Sequence, residues 1–227
     1  DAPIVLFSQG DFDFNTQKII SVVGTRKATD YGKDFCEQLM ESLQPHNPLI
    51  VSGLAFGIDI CAHKAAIKYK LPTIGVTAHG LDRLYPSQHK ATASKMLRNG
   101  GLVSEFISGT KPDRENFPKR NRILAGLADA IIVLESSKKG GSLITAELGN
   151  SYNRDVFALP GRITDIQSEG CNALIKQNKA HLLNSVKDLE YIMGWDVHKP
   201  QQNTQHELFI DLSIEEQLIF DILKKQD

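Results

Sequence analysis

Three glycine-rich segments and one cationic segment contain the residues best suited to bind an anion. They are residues 24–26, 52–59, 138–146 and 117–122. Glycines let backbone N–H groups come close to an oxyanion, and the N-terminus of a following helix adds a positive dipole end with unpaired donors. Because phosphate is the usual anion at such a set of donors, the sequence predicts a shared phosphate-binding site.

Hydroxyl and cationic side chains in the same segments add donors and positive charge to this predicted site. Any one of the glycines alone is better explained by a tight turn or by close helix–strand packing. The segments taken together favour a phosphate site. The candidate binding residues are Gly24, Thr25, Arg26, Ser52, Gly53, Ala55, Gly57, Asp59, Phe117, Lys119, Arg120, Asn121, Arg122, Lys139, Gly141, Ser142 and Thr145.

Phe117 stands directly before a Pro-Lys-Arg-Asn-Arg run. An aromatic ring in this position could stack on an exposed base while the cations hold the nucleic-acid backbone, and the alternative is a core phenylalanine. The sequence leaves both interpretations open. The charged neighbours and Pro118 indicate a loop ahead of a helix.

Four titratable residues near these segments could serve catalysis or structure. Asp59 is interpreted as a helix cap in preference to a residue that orients ligand-binding amides, and Glu147 as a helix-end charge in preference to a catalytic acid. His63 is expected to be a partly buried, hydrogen-bonded residue. His79 is left open between a ligand contact and a structural role.

Signatures of known catalytic and cofactor sites do not occur in the sequence. There is no GxxxxGK[ST] or GxGxxG segment for a nucleotide, and no GxSxG or HExxH segment for hydrolysis. We therefore expect no catalytic residue, no cofactor and no bound metal.

Composition limits how the chain could attract a charged partner. Its 227 residues carry a net charge of −1, so a general positive field is excluded and any nucleic-acid binding must be local. Cys36, Cys61 and Cys171 form no CxxC pair and are expected to be free thiols in a reducing cytoplasm. No apolar run approaches the roughly 20 residues of a membrane helix.

Apolar runs alternate with amphipathic stretches through the body of the chain. The predicted strands are residues 19–23, 49–51, 73–78, 102–106, 130–134 and 156–159. Their continuous hydrophobicity is typical of strands covered on both faces, and the alternation with helical patterns predicts an α/β doubly wound, mainly parallel sheet. The carboxyl ends of such strands are where ligands bind.

The two ends of the chain differ from this body. Residues 1–18 are a lead-in with one strand-like run at 4–7, which could add an edge strand, and a turn at Gly10-Asp11. The core is predicted at 19–197 and a polar linker at 198–206. Residues 207–227 contain a capping-box pattern and an amphipathic helix, interpreted as the first helix of a truncated second domain.

Seven blocks of the sequence resemble the bacterial DNA-processing family DprA, also called Smf. They are residues 22–32, 51–66, 80–89, 117–135, 140–149, 156–161 and 168–175, in family order. The resemblance covers nearly all of residues 19–183. Departures occur at His79, where the family has a small residue, at Gln88 (Asn), at Gly140 (Ser) and at Asn178 (Gly).

The resemblance implies an extended Rossmann-like core that binds single-stranded DNA with little sequence preference. It also implies a cytoplasmic homodimer that helps load RecA during natural transformation, and a winged-helix-like domain after the core. The family's DNA pocket falls on the candidate residues named above, apart from Lys119 and Lys139. Two alternatives use the same pocket: a phosphoribohydrolase-type enzyme, loosely echoed by Gly140-Gly141-Ser142 with Glu147, and a small-nucleotide sensor.

Overall fold

An eight-stranded sheet runs through the centre of the computed structural model, which describes residues 2–15, 18–195 and 215–216. The strands are β1 (Phe7–Asp11), β2 (Ile19–Val23), β3 (Leu49–Ser52), β4 (Thr73–Val76), β5 (Gly100–Ser104), β6 (Ala130–Val133), β7 (Asp155–Ala158) and β8 (His181–Leu182). The helices are α1 (Asp30–Ser42), α2 (Ile58–Lys68), α3 (Lys90–Met96), α4 (Asn116–Leu127), α5 (Gly141–Ser151), α6 (Glu169–Lys176) and α7 (Val186–Met193). Short 3₁₀ turns lie at Gln44–His46 and Ser87–His89.

The sheet order is β1-β5-β4-β3-β2-β6-β7-β8, and β1 pairs antiparallel with β5 while the other pairs are parallel. The chain therefore builds outward from β2 in one direction and then returns to build from β6 in the other. This reversal creates a topological switch point between β2 and β6. The predicted doubly wound, mainly parallel, Rossmann-like α/β fold is confirmed.

Side chains of β2 alternate between two hydrophobic cores, one on each face of the sheet. Ile20 and Val22 pack in the core that includes residues of α1 and α2, whereas Ile19 and Val23 pack with residues of α4 and α5. Every residue of β2 is buried. A strand covered on both faces reads as a continuous apolar run, which explains why the sequence identified β2 with its observed bounds.

The N-terminal edge strand differs from its predicted position. It spans Phe7–Asp11 instead of residues 4–7, and Gly10 lies inside it instead of in a turn. Gly10 has φ +124°, and a Cβ there would stand 2.2 Å from the Gly100 carbonyl oxygen. The glycine that suggested a turn is instead required by the close approach of two strands.

The segment predicted as a loop at residues 117–122 is the first half of α4, which begins at Asn116. Pro118 lies in the first turn, where backbone N–H groups have no intrahelical partner, so proline does not interrupt the helix. The loop prediction was wrong for this reason.

The predicted C-terminal elements fall almost entirely outside the described residues. The linker at 198–206 lies there, as does the predicted helix of 207–227, except for Glu215 and Glu216, which are helical and exposed. The strands and helices named above belong to one unit, Asp1–Asp196.

Candidate nucleic-acid interface

A cleft of about 280 Å³ opens at the carboxyl ends of the strands, beside the switch point. The loop after β2, the loop after β3, the first turns of α4 and the start of α5 form its walls. Its lining residues are Val23, Gly24, Thr25, Arg26, Ala55, Asp59, Phe117, Pro118, Arg120, Asn121, Leu124, Gly140, Gly141, Ser142, Ile144 and Thr145. Candidate residues from all four predicted segments are therefore brought together at one place.

The N-terminus of α5 supplies backbone donors to this cleft. Its N-cap, Gly140, provides no side-chain capping hydrogen bond, and Gly141 lines the cleft. A Cβ on Gly141 would meet nothing within 4 Å. The uncapped N–H groups and the positive dipole end of α5 thus stand beside open space, which suits an anion.

Gly24 and Gly57 have a different role from Gly141, because they allow close packing below the cleft. A Cβ on Gly57 would stand 2.1 Å from the Thr25 carbonyl oxygen, and Gly57 has φ +77°. One on Gly24 would stand 2.5 Å from Cγ1 of Ile58. The Ile58 N–H donates to the Thr25 carbonyl oxygen at 3.1 Å, so these glycines tie the start of α2 to the loop after β2.

Arg26 is the exposed cation on the cleft wall. Its guanidinium carbon lies 5.4 Å from the centre of the Phe117 ring, a cation–π arrangement. Among the described residues it forms no ion pair, so its charge is available to an incoming anion. Phe117 is half-buried at the start of α4 and lines the cleft, so it is not a residue of the hydrophobic core.

Arg120 is a buried cation at the floor of the cleft. One of its guanidinium nitrogens, Nη1, donates to the carbonyl oxygens of Gly53 (2.8 Å) and Val76, so it joins the ends of β3 and β4. Burial lowers the pKa of Arg120 to about 10, and the neighbouring charge of Asp59 opposes this shift. The group remains positive at neutral pH and holds the ends of β3 and β4 together beneath the cleft.

Asp59 pairs with Arg120 electrostatically and holds the loop after β3. Its Oδ2 accepts from the Ala55 N–H at 3.3 Å, and burial raises the pKa of its carboxyl group while Arg120 opposes that rise. A Cβ on Gly53 would stand 2.3 Å from Nη1 of Arg120 and 2.6 Å from Oδ2 of Asp59, so only glycine fits there. The N-cap of α2 is Gly57, with no side-chain cap; the helix-cap interpretation of Asp59 was wrong, and it orients loop amides instead.

Hydroxyl groups at the site are only partly available to a ligand. Ser52 Oγ donates to the Val22 carbonyl oxygen at 2.6 Å and is buried below the cleft. Ser142 Oγ donates to Ser136 Oγ at 2.9 Å. Its oxygen can still accept a hydrogen bond from a ligand, or its proton can turn from Ser136 to a ligand. Thr25 Oγ1 accepts from the Lys27 N–H at 3.1 Å, which leaves its own proton to donate outward.

Some candidate residues do not line the cleft. Arg122 pairs with Glu105, and it lines a separate groove with Leu127 and Arg154. Lys119 and Lys139 are exposed and adjoin the lining residues Pro118 and Gly140, so they stand at the rim. The remaining candidates outside the lining, Ser52, Gly53 and Gly57, support the walls from behind.

His63, His79 and Glu147 have structural contacts and do not line the cleft. His63 is fully buried instead of partly buried, and its Nδ1 lies 2.8 Å from Thr73 Oγ1, so the expected hydrogen-bonded role is confirmed. His79 is also buried and bonds to the loop that it begins, away from the cleft lining. Glu147 is exposed on α5 with Lys179 at 3.9 Å and does not line the cleft.

Several lining residues were not among the sequence candidates: Val23, Pro118, Leu124, Gly140 and Ile144. Leu124 could have been found from helical spacing, because it lies four residues after Arg120 and three after Asn121. The assumption of a loop at 117–122 concealed this shared face. Ile144 is 41% exposed on α5, one turn after Gly141, and adds an apolar surface to the polar wall.

Groups that could hold a metal ion and helices that could span a membrane were both sought among the described residues. Within residues 2–15, 18–195 and 215–216, no three His, Cys, Asp or Glu side chains are grouped so that they could hold a metal ion. In the same part of the chain no helix combines the length and apolar character needed to cross a bilayer. The three cysteines are free thiols, as expected.

Comparison with known proteins matches most of the chain to one family. Residues 1–193 match the family described as DNA recombination-mediator protein A. The Smf protein of Synechocystis is 39% identical over 196 residues, which are 85% of this chain and 49% of that protein. The chain thus spans about half the length of this relative.

Two solved structures resemble this chain in both fold and sequence. DNA processing protein A (DprA) of Streptococcus pneumoniae superposes with a TM-score of 0.80 and 39% identity, covering 84% of this chain and 66% of that one. DNA processing protein A of Helicobacter pylori, whose single-stranded DNA binding mode has been studied structurally, gives a TM-score of 0.79 and 30% identity, covering 87% and 90%.

Proposed function

The chain belongs to the DNA recombination-mediator protein A family, and from this premise we propose that its cleft binds single-stranded DNA without strong sequence preference. The observation that carries the proposal is the convergence of an exposed Arg26, the stacked Phe117 ring and the uncapped start of α5 on one open cleft. These groups recognise phosphate and base faces, which all nucleotides share.

Each part of the cleft contributes one kind of contact. The Gly141 and Ser142 amides and the Thr25 and Thr145 hydroxyls bind phosphate oxygens. Arg26 neutralises a phosphate, and Phe117 stacks on a base. Behind them, Arg120, Asp59, Ser52, Gly53, Ala55 and Gly57 hold the loops in place, while Asn121, Lys119 and Lys139 extend the polar surface at the edge. Arg122, paired with Glu105, contributes mainly to folding.

In the cell, we propose that the protein acts as a homodimer in the bacterial cytoplasm and helps to load RecA onto single strands during natural transformation. This extends the DNA-binding role to the assembly that the family resemblance implies. Binding, rather than catalysis, is the proposed chemistry. Glu147, the carboxylate of α5 that a phosphoribohydrolase would use, does not line the cleft, and Asp59, which does, holds the Ala55 amide of the loop after β3.

The deciding experiment compares Arg26→Ala with Arg122→Ala in binding to fluorescent oligo-dT. Loss of the exposed cation should weaken binding by about 1–3 kcal/mol, the scale of a charged hydrogen bond. Arg122→Ala should weaken it much less, and Glu147→Ala should leave it unchanged. Equal losses for both arginines would contradict the assignment of the cleft.

A parallel assay separates the enzyme alternative. The unaltered chain is incubated with a nucleoside monophosphate, and release of the free base is followed. We expect oligo-dT binding and no base release. Base release without oligo-dT binding would overturn the proposed function in favour of a phosphoribohydrolase.

A further inference from the structure

Tyr85 presents an exposed aromatic ring next to the cleft, outside its lining. The side chain is 47% exposed, and its ring centre lies 6.2 Å from that of Phe117 with the planes inclined by 60°. At this distance and tilt the two rings touch, and no base fits between them. Each ring therefore has its own outer face for a ligand.

The two rings differ in how open they are. Arg26 already covers the Phe117 ring at 5.4 Å, whereas no cation–π contact is found for Tyr85 among the described residues. A half-exposed tyrosine of this kind has a large flat surface at low conformational cost. It is the more accessible aromatic surface at this end of the cleft.

A buried polar network holds the backbone of Tyr85 in place. The Tyr85 N–H donates to Nε2 of His79 at 3.2 Å, and Nδ1 of His79 donates to the Gly80 carbonyl oxygen at 2.9 Å. Hydroxyl groups of Thr77 and Ser104 both donate to the His79 carbonyl oxygen, at 2.9 and 2.7 Å. Because His79 is 1% exposed, this network stands on the sheet and not on a free loop.

Within the same loop, Asp82 adds a second attachment. Its Oδ1 accepts from the Gly109 N–H at 2.8 Å, and this bond is the largest cause that lowers the pKa of the Asp82 carboxyl group. The loop that presents Tyr85 is thus tied to the segment that follows β5 as well as to its own start. An aromatic ring on a fixed backbone binds without the cost of ordering a loop.

We propose that Tyr85 and Phe117 are two successive stacking positions for the bases of a single strand. The strand leaves the phosphate cleft past the first turn of α4 and places its next base on Tyr85. Since every base has a π-face, the added position increases affinity without adding sequence preference. The proposal rests on the proposed function and extends its site by one nucleotide.

The test measures oligo-dT binding by fluorescence anisotropy for Tyr85→Ala, Tyr85→Phe and Tyr191→Ala. Tyr191, 84% exposed on α7, is the matched exposed tyrosine. Tyr85→Ala should weaken binding about 5- to 150-fold, the range for loss of one stacked base. Tyr85→Phe keeps the ring face and should bind like the unaltered chain, as should Tyr191→Ala.

Salt dependence distinguishes stacking from charge. Stacking releases no counterions, so Tyr85→Ala should lower affinity at every salt concentration without changing the slope of log K against log salt, whereas Arg26→Ala should reduce that slope. Unchanged affinity in Tyr85→Ala, with weakened binding in Arg26→Ala, would overturn the second stacking position and leave the proposed function standing. Absence of binding by the unaltered chain would overturn both.

Photochemical cross-linking gives a measurement that does not depend on a variant that folds. The unaltered chain is irradiated with an oligonucleotide containing 5-iodouracil, and the adducts are located by mass spectrometry. We expect adducts on Tyr85 and on Phe117. Adducts on Phe117 without any on Tyr85 would contradict the proposed path of the strand.

Discussion

Arg26 and Arg120 stand on the same cleft, one exposed and the other 4% exposed. The fold gives the same guanidinium group two uses. Arg26 has no ion pair among the described residues, while Arg120 donates to two backbone carbonyls and faces the buried Asp59. Both arginines could be assigned to the site from the sequence. Which of them faces a ligand and which supports the loops could not be predicted, because the two differ only in burial.

Replacing Arg120 should therefore lower the free energy of unfolding, because this residue supports the fold. We expect Arg120→Met to lower the free energy of unfolding by about 3–5 kcal/mol, because it leaves the buried Asp59 carboxylate without its opposite charge. Urea denaturation measures this loss. Arg26→Ala is the control and should unfold at the same urea concentration as the unaltered chain; equal stability of the Arg120 variant would contradict the supporting role.

His63 predicts a specific dependence of stability on pH. Burial is the largest of the causes that lower its pKa from 6.5 to about 3, so the folded chain resists protonation at this ring while the unfolded chain accepts it. The stabilising contribution is therefore complete above pH 6.5 and is lost as the pH falls towards 3. We expect a loss of about 1.4 kcal/mol per pH unit in this window.

The measurement compares unfolding of the unaltered chain and of His63→Gln between pH 7 and pH 4. Other groups titrate equally in both proteins, so the difference between the two curves isolates His63. The variant should be less stable at neutral pH and should lose less stability on acidification. Parallel curves would show that His63 is not the group responsible.

At the scale of helices and strands, α5 and α2 use glycine at their starts for opposite reasons. Gly141 faces open space, whereas Gly57 has a positive φ and packs against the Thr25 carbonyl oxygen. We expect Gly141→Ala to fold with equal or greater stability, since alanine is the better helix former, and to bind oligo-dT more weakly because its methyl group stands before the amides.

Gly57→Ala should show the reverse balance. Its strained backbone and the 2.1 Å contact should lower the free energy of unfolding by about 1–3 kcal/mol. Thermal unfolding and oligo-dT binding are measured for both variants. Weaker binding by Gly141→Ala together with a lower melting temperature would contradict the distinction drawn here.

The accuracy with which strands and helices were predicted depended on how their residues are buried. Strands β2, β3 and β6 are continuous apolar runs and were found within a residue or two. Edge strand β1 is exposed along its length, so no hydrophobic pattern marks it, and Gly10 suggested a turn. Helix α4 was partly missed because Pro118 is favourable only in a first turn, and the start of a helix is not fixed by composition alone.

That the candidate segments lie together could be predicted from the sequence for a physical reason. Parallel strands bring their carboxyl ends to one edge, so the segments after β2, β3 and β6 had to lie together once the sheet was recognised. Which side chains point into the cleft depends on packing across long sequence separations. Arg122 is the clearest example of a side chain whose direction could not be predicted. Its partner Glu105 belongs to another segment, and no spacing in the sequence indicates that the two residues pair.

For the whole molecule, a net charge of −1 requires the attraction for DNA to be local. Arg26, Lys119 and Lys139 are the exposed candidate cations at the cleft and its rim. Three neutralised phosphates on a single strand predict a slope of log K against log salt of about −2 for each chain.

Titration with oligo-dT between low and moderate salt measures this slope. A value near −2 supports independent clefts, and a value of about −4 would indicate that one strand crosses both subunits of the proposed homodimer. A slope close to zero would contradict phosphate binding altogether.

The cleft is assembled from loops that follow β2, β3 and β6 together with α4, so its walls come from distant parts of the chain and lie on both sides of the β2–β6 pairing. A single strand bound in the proposed way would contact both halves of the sheet at once. Slowed amide exchange on ligand binding should appear in β2 and β6 as well as in the loops, since opening either half would release the ligand.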